Sequence, residues 1–359
     1  VLALALDAGK PAPETLVSAS PASDWDPAIA AAPNGEVTIA WDTYDKGDYD
    51  VWFRKARFEA GVRLEAPVPV AASANFEARP SIAYDSQNRL WVAYEASAVR
   101  WGKDFGAYET TGIALYQGHT VKVRCFDGPS VFATGAELDQ ALPGPFAMQR
   151  RARRAEAAAG LGSQWPNPEA AARRPPSATP QPPPLPRNSF PRIGVDPGGT
   201  VYLAFRTSGG ARSPAGTVWV EQLVYLQGEK WSRPIAVPHS DTLLDSRPAL
   251  AGIAPGQLMM LTTSDHRQAV TVGGARRGGS AINADIYAAE FRVIPAETVA
   301  MLPPASPATL ASTEPELKAE AAQIRRMREA RATAGGQTLR LLRGEFHRHT
   351  EMSGDGGND

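Results

Sequence analysis

The sequence predicts an all-β chain, a β-propeller of at least four antiparallel blades, and three observations carry that prediction. The first is a strand-turn-strand module seen in Asp26 to Phe58. There the turn Pro33-Asn34-Gly35 is followed by Glu36-Val-Thr-Ile-Ala-Trp41, a polar loop through Lys46-Gly47-Asp48, and Asp50-Val-Trp-Phe-Arg54. Alternating apolar and polar residues around an Asn-Gly pair are a strong hairpin signal. The second is repetition: related stretches begin at Pro80, Pro191 and Pro248, and with Pro27 the anchors lie 53, 111 and 57 residues apart. A period of ~50 residues made of short strands is that of propeller blades, which bury their faces only against neighbouring blades. The third is a set of strand-end aromatics, Trp41, Trp52, Trp91, Tyr94, Tyr202, Phe205, Trp219 and Trp231, suited to packing between blades.

Taken in order, Leu2, Leu4 and Leu6 alternate with small residues and read as a strand of a preceding blade, so the ring is expected to be incomplete or closed unusually. A competing reading, the end of a cleaved signal's apolar segment, goes with a secreted or periplasmic location. Outer strands are predicted at 50–58, 120–126, 217–225 and 285–293, and short final strands at 16–19, 68–72 and 235–238. Residues 135–188 break the pattern with eleven prolines, including Pro182-Pro183-Pro184. No sheet strand holds so many residues without an N–H donor, so this stretch is expected to be a mobile insert with little apolar mass to bury. Its one helical candidate is Phe146–Leu161, where Arg150, Arg151, Arg153 and Arg154 make an exposed basic face.

Residues 1–294 thus form the predicted propeller, and 295–337 a linker with a connecting helix. Thr313-Glu-Pro-Glu316 has the reciprocal capping arrangement of a helix start, and the helix is expected to run to about Ala334 and stop at Gly335-Gly336.

Charge excludes little but is itself informative. With 37 basic and 38 acidic side chains, nothing points to nucleic acid as a partner. No apolar run reaches the ~20 residues of a membrane-spanning helix. Cys125 is the only cysteine, which leaves no disulfide framework and no cysteine metal site.

Two sets of residues could carry function. Arg79 precedes Pro80, Arg192 follows Pro191 and Arg247 precedes Pro248, all at blade starts, where first strands line the central channel. Three such guanidinium groups could converge on a carboxylate, giving a sialidase-like or glycan-binding propeller, although no Ser-x-Asp-x-Gly-x-x-Trp repeat is present. The bland alternative is that these arginines pair with acids of neighbouring blades. His119, His239 and His266 are isolated in sequence and are expected at the surface or in loops.

The second set is at the end, where residues 338–359 run from a short strand into Gly344-Glu-Phe-His347-Arg-His349-Thr-Glu-Met-Ser353-Gly-Asp355-Gly. Alternate residues of a strand point the same way, so His347 and His349 can reach one metal, and a carboxylate a few residues on can join them. The stretch resembles the opening motif of the PHP (polymerase and histidinol phosphatase) superfamily, in the branch that includes carbaryl hydrolase. Glu345 stands where that motif usually has aspartate, and Gly354 shifts the following acid one place later. The resemblance implies the first strand of a truncated α/β barrel, with His347, His349 and Asp355 as ligands of a divalent metal (Zn, Mn or Fe). It further implies a metal-dependent hydrolase of phosphoester or related ester bonds in a small-molecule substrate, which the propeller would scaffold, the fragment itself being inactive.

Overall fold

The recurring module folds as a three-stranded antiparallel core, and four such sheets follow one another as blades (computed structural model). The structure describes most of residues 2–340; residues 100–117, 145–185, 268–283, 341–359 and some shorter stretches are outside the description. Blade 1 is Ser23–Ala31, Val37–Tyr44 and Tyr49–Phe58, with Val62–Leu64 and Val68–Ala71 both pairing with its outer strand. Blade 2 is Phe76–Tyr84, Leu90–Ser97, Thr120–Asp127 and Ser130–Ala133. Blade 3 is Asn188–Val195, Val201–Thr207 and Val220–Gln227, edged by Lys230–Trp231 and Ile235–Ala236. Blade 4 is Ala249–Ala254, Gln257–Ser264 and Asp285–Arg292. The first strands of successive blades are neighbours in order.

Apolar faces meet between blades, as the strand-end aromatics imply. Phe53, Val70, Ile82, Val92 and Phe126 join blades 1 and 2. Trp91, Val123, Leu203, Phe205 and Leu226 join blades 2 and 3, and Tyr202, Leu223, Leu258 and Met260 join blades 3 and 4. Each fully buried aliphatic or aromatic side chain of this kind contributes about 1.5–3 kcal/mol by leaving water. The terminal blades keep open faces: Ile29 is 67% exposed on blade 1, and Ile286 77% on blade 4.

The two ends of the blades differ. At one end, first and second strands are joined by tight turns such as Asn34-Gly35, Asp85–Arg89, Asp196–Thr200 and Pro255-Gly256. Gly256 is obligatory there, since its φ is 71° and a Cβ would lie 2.3 Å from the Val293 carbonyl. The described ends of the connections between Ser97 and Thr120, Ala133 and Asn188, and Ser264 and Asp285 lie at the opposite end. Loops held by a rigid scaffold are where binding residues concentrate.

Several expectations are corrected. The start of the proline-rich stretch is built in: Ala136–Ala141 is a short helix, and Leu138 and Leu142 are buried between blades 2 and 3. Its far end, Asn188, begins the inner strand of blade 3. Phe146–Leu161 lies outside the described residues. The expected helix does not reach Ala334, because Arg331–Ala334 and Gln337–Arg340 form a hairpin. Gly335 and Gly336, with φ of 57° and 77°, are its turn rather than a helix stop.

Beyond blade 4 the chain turns back as a strap. The Met301 amide donates to the Gly228 carbonyl in blade 3, and Arg89 of blade 2 donates to the Ala300 carbonyl. Ala300 and Leu302 are buried in the blade 2–3 core, and Pro304–Ala305 pairs with Ser130–Ala133 at the edge of blade 2. The Ala311 amide then reaches the Ala72 carbonyl of blade 1.

Candidate functional site at the blade starts

The site begins with a repeated backbone irregularity. In blades 1, 2 and 3 the pairing of the first two strands slips between Trp25 and Ala28, Ala78 and Ser81, and Ser189 and Arg192. Within each slip a residue directly before proline has positive φ: Asp26 (43°), Arg79 (57°) and Phe190 (50°). Proline has no N–H for the ladder, so the strand bulges there. A non-glycine residue at positive φ, and before proline, is a strained conformation that surrounding structure must hold. Arg247 occupies the same place before Pro248 in blade 4.

What holds the strain is a polar side chain from the preceding blade. Asp42, at the end of the second strand of blade 1, accepts the Arg79 amide at 2.7 Å. Glu95, at the matching place in blade 2, accepts the Phe190 amide at 3.1 Å and the Ser189 hydroxyl at 2.6 Å. Arg206, at that place in blade 3, donates to the Ser246 carbonyl at 3.1 Å, one residue before Arg247. One latch per junction thus bonds at or beside the pre-proline residue of the following blade.

The four pre-proline residues meet. Arg247 Nη1 lies 3.1 Å from Asp26 Oδ1, and Arg79 Nε lies 3.9 Å from Asp26 Oδ2. Both guanidinium groups stack on the Phe190 ring, with Cζ 4.4 Å (Arg79) and 4.7 Å (Arg247) from its centre. Arg79 is also tied to Glu95 at 2.8 Å. Arg192 joins them by charge: burial and then the neighbouring Arg247 push its pKa down. Among the described residues the Arg192 side chain makes no hydrogen bond and no close ion pair, although Asp26 and Glu221 attract its charge from further off.

The acids beneath are perturbed in opposite directions. Burial, with Asp26 adding to it, raises Asp42 to about 6 against the favourable Arg79 amide. Burial would also raise Glu95, but His119, Arg79 and the Ser189 hydroxyl together hold it well below the usual carboxylate range. Burial lifts the Glu221 carboxyl to about 7 despite its ion pair with Arg206 at 2.8 Å.

The structure thus brings Arg79 and Arg247 together with Arg192 close by, and pairs the first two with acids as well, Asp26 in particular. Sequence reasoning missed Asp26 and Phe190, although both carry the same signal as Arg79 and Arg247, the position before a blade-start proline. His119 is corrected from a surface residue to a buried one, 1% exposed against Glu95. His347, His349 and Asp355 lie outside the described residues. Among the described residues no group of three or more His, Cys, Asp or Glu could hold a metal ion, and no helix is long and apolar enough to cross a membrane.

No protein-family model and no curated protein matches the chain. Among solved structures it is similar to the Hadza microbial sialidase Hz136, at 11% identity and TM-score 0.42 over 77% of this chain and 47% of that one. This chain therefore spans about half of the sialidase's length. It is also similar to Zg3597, a family 117 glycoside hydrolase from the marine bacterium Zobellia galactanivorans, at 11% identity and TM-score 0.40 over 82% of this chain and 72% of that one. A third is an endo-arabinase from Bacteroides thetaiotaomicron, at 8% identity and TM-score 0.36 over 77% of this chain and 76% of that one.

Proposed function

We propose that the blade-start cluster is a recognition site for a carboxylate-bearing saccharide. The observation that carries this reading is the gathering of Arg79, Arg192 and Arg247 at one end of the first strands, with Arg192 lacking an ion-pair partner among the described residues. A guanidinium fork offers two parallel N–H donors to a carboxylate, and partial desolvation strengthens that contact. Asp26 argues against a phosphate, whose higher charge it would repel. The same carboxylate suits a sugar acid, because it accepts hydrogen bonds from ring hydroxyls while the arginines hold the acid group. Phe190 keeps two of the guanidinium planes in place.

The test is calorimetric titration with sialic acid, galacturonate and the neutral sugar galactose. A saturable site for an acid sugar is expected. It should be lost in Arg192→Ala and Arg247→Ala variants that keep the wild-type circular dichroism. Galactose should give no such site. Equal binding of galactose, or no saturable binding of either acid, would overturn the proposal.

A further inference from the structure

A second cluster lies at the same end of the molecule, outward from Arg247. His239 belongs to the connection entering blade 4, His266 follows the second strand of that blade, and Tyr287 lies near the start of its outer strand. The His239 and Tyr287 rings are stacked, with centres 4.4 Å apart and planes 15° apart. His266 stands edge-on to both, at 6.2 and 5.8 Å, and its Nε2 is 2.9 Å from the Tyr287 hydroxyl and 3.6 Å from Asp285 Oδ2.

Neither histidine is placed there by burial, since both are exposed. Both nevertheless have positive φ, 50° for His239 and 58° for His266, where glycine or asparagine would be less strained. The backbone beneath is braced. The Ser264 hydroxyl donates to Asp241 Oδ1 at 2.6 Å and accepts the His266 amide at 3.0 Å, and buried Arg267 grips Asp265 and the Thr217 carbonyl. Strain held in place by a rigid base, and spent on presenting exposed imidazoles, points to a ligand rather than to stability.

Register sets the position of this platform. Ala249 pairs with Leu261 and Thr262 pairs with Tyr287, so Tyr287 is nearly level with Arg247 and two strand spacings, roughly 10 Å, away across the sheet. Tyr287 shares its side of the strand with Phe291, which packs toward blade 3. The platform therefore lies on the same blade 3–4 seam as Arg192 and Arg247.

We infer that the rings of His239, Tyr287 and His266 form an outer sugar subsite, so that the ligand is an acidic oligosaccharide running outward along this seam. Stacked rings offer an apolar face for the C–H side of a sugar, and the imidazole nitrogens and tyrosine hydroxyl offer donors and acceptors for its hydroxyls. This inference rests on the reading of the arginine cluster as a sugar-acid site.

The test compares galacturonate with trigalacturonate by calorimetry. The trimer should bind about tenfold more tightly than the monomer, the upper range of one added aromatic contact. His239→Ala and Tyr287→Ala should reduce the trimer to the monomer's affinity while leaving the monomer unchanged, and Tyr287→Phe should keep most of the gain. A monomer that binds with no advantage for the trimer would sink this inference alone. So would a Tyr287→Ala variant that weakens both ligands alike. Failure of both ligands to bind would sink this subsite, and the sugar-acid reading would fall with it only where sialic acid also gives no saturable binding.

Discussion

Replacing Asp42 by asparagine should change how stability depends on pH. The Asp42 side chain is 2% exposed, and its carboxyl is raised from 3.8 to about 6, chiefly by burial. The folded protein thus holds this proton more tightly than the unfolded chain does. A group of this kind contributes most at low pH, and that contribution is lost as pH rises through the window from about 4 to about 6. At 1.36 kcal/mol per unit, the loss for Asp42 is about 3 kcal/mol on reaching neutrality. Asparagine keeps an oxygen to accept the Arg79 amide but has no proton to lose. The assay is urea unfolding of wild type and Asp42→Asn at about pH 4 and about pH 7, with linear extrapolation to water. Other shifted acids, Glu221 raised and Glu95 lowered, are present in both proteins and cancel in the comparison. The stability of the variant relative to wild type should improve by about 2 kcal/mol between the two conditions, because part of the loss has already occurred by about pH 4. An offset equal at both pH values would refute the reasoning, because the carboxyl would then ionise in the fold as easily as in water.

Three further outcomes follow from the packing. Gly252→Ala should cost about 1–3 kcal/mol in urea unfolding, since a Cβ there would lie 2.5 Å from the Val195 carbonyl and 2.7 Å from Asp196 Cα; an unchanged midpoint would mean that blades 3 and 4 do not meet there. Leu302→Ala in the strap should lower stability by about 2–5 kcal/mol, as for any core leucine, whereas a surface-like effect would detach the strap from the blade 2–3 core. Ile286→Lys on the open face of blade 4, at 77% exposure, should leave the unfolding free energy within about 0.5 kcal/mol of wild type, and a large loss would show that the face is covered.

The fold was legible where local chemistry and tertiary need agree. The outer strand predicted at 285–293 is observed as Asp285–Arg292, and the one predicted at 120–126 as Thr120–Asp127, because period-two alternation there reflects real burial on one or both faces. It was less legible where one signal serves two structures. Gly335-Gly336 ends a helix or makes a hairpin turn equally well, and the choice fell to the hairpin. Leu138 sits in a proline-rich stretch, and only the neighbouring blades reveal that it fills a core. In the candidate site the arginines stood out by type, whereas Asp26 and Phe190 share their backbone position and not their chemistry. The latches Asp42, Glu95 and Arg206 read as ordinary strand residues until the next blade is set beside them. His239 and His266 are 27 positions apart in the chain, and Tyr287 lies a further 21 on, so nothing local announces their meeting.

The strap has a consequence for how the molecule comes apart. Stacked repeats that touch only their immediate neighbours behave as a one-dimensional array, which frays from its ends one unit at a time. Here residues 300–311, which follow blade 4 in the chain, bond in turn to blades 3, 2 and 1. Detaching blade 4 pulls on the apolar layer between its predecessors, and loosening blade 1 frees the far end of the same tie. Among the described residues neither outer blade is then held by its one neighbour alone, and these four blades are expected to unfold together rather than one at a time.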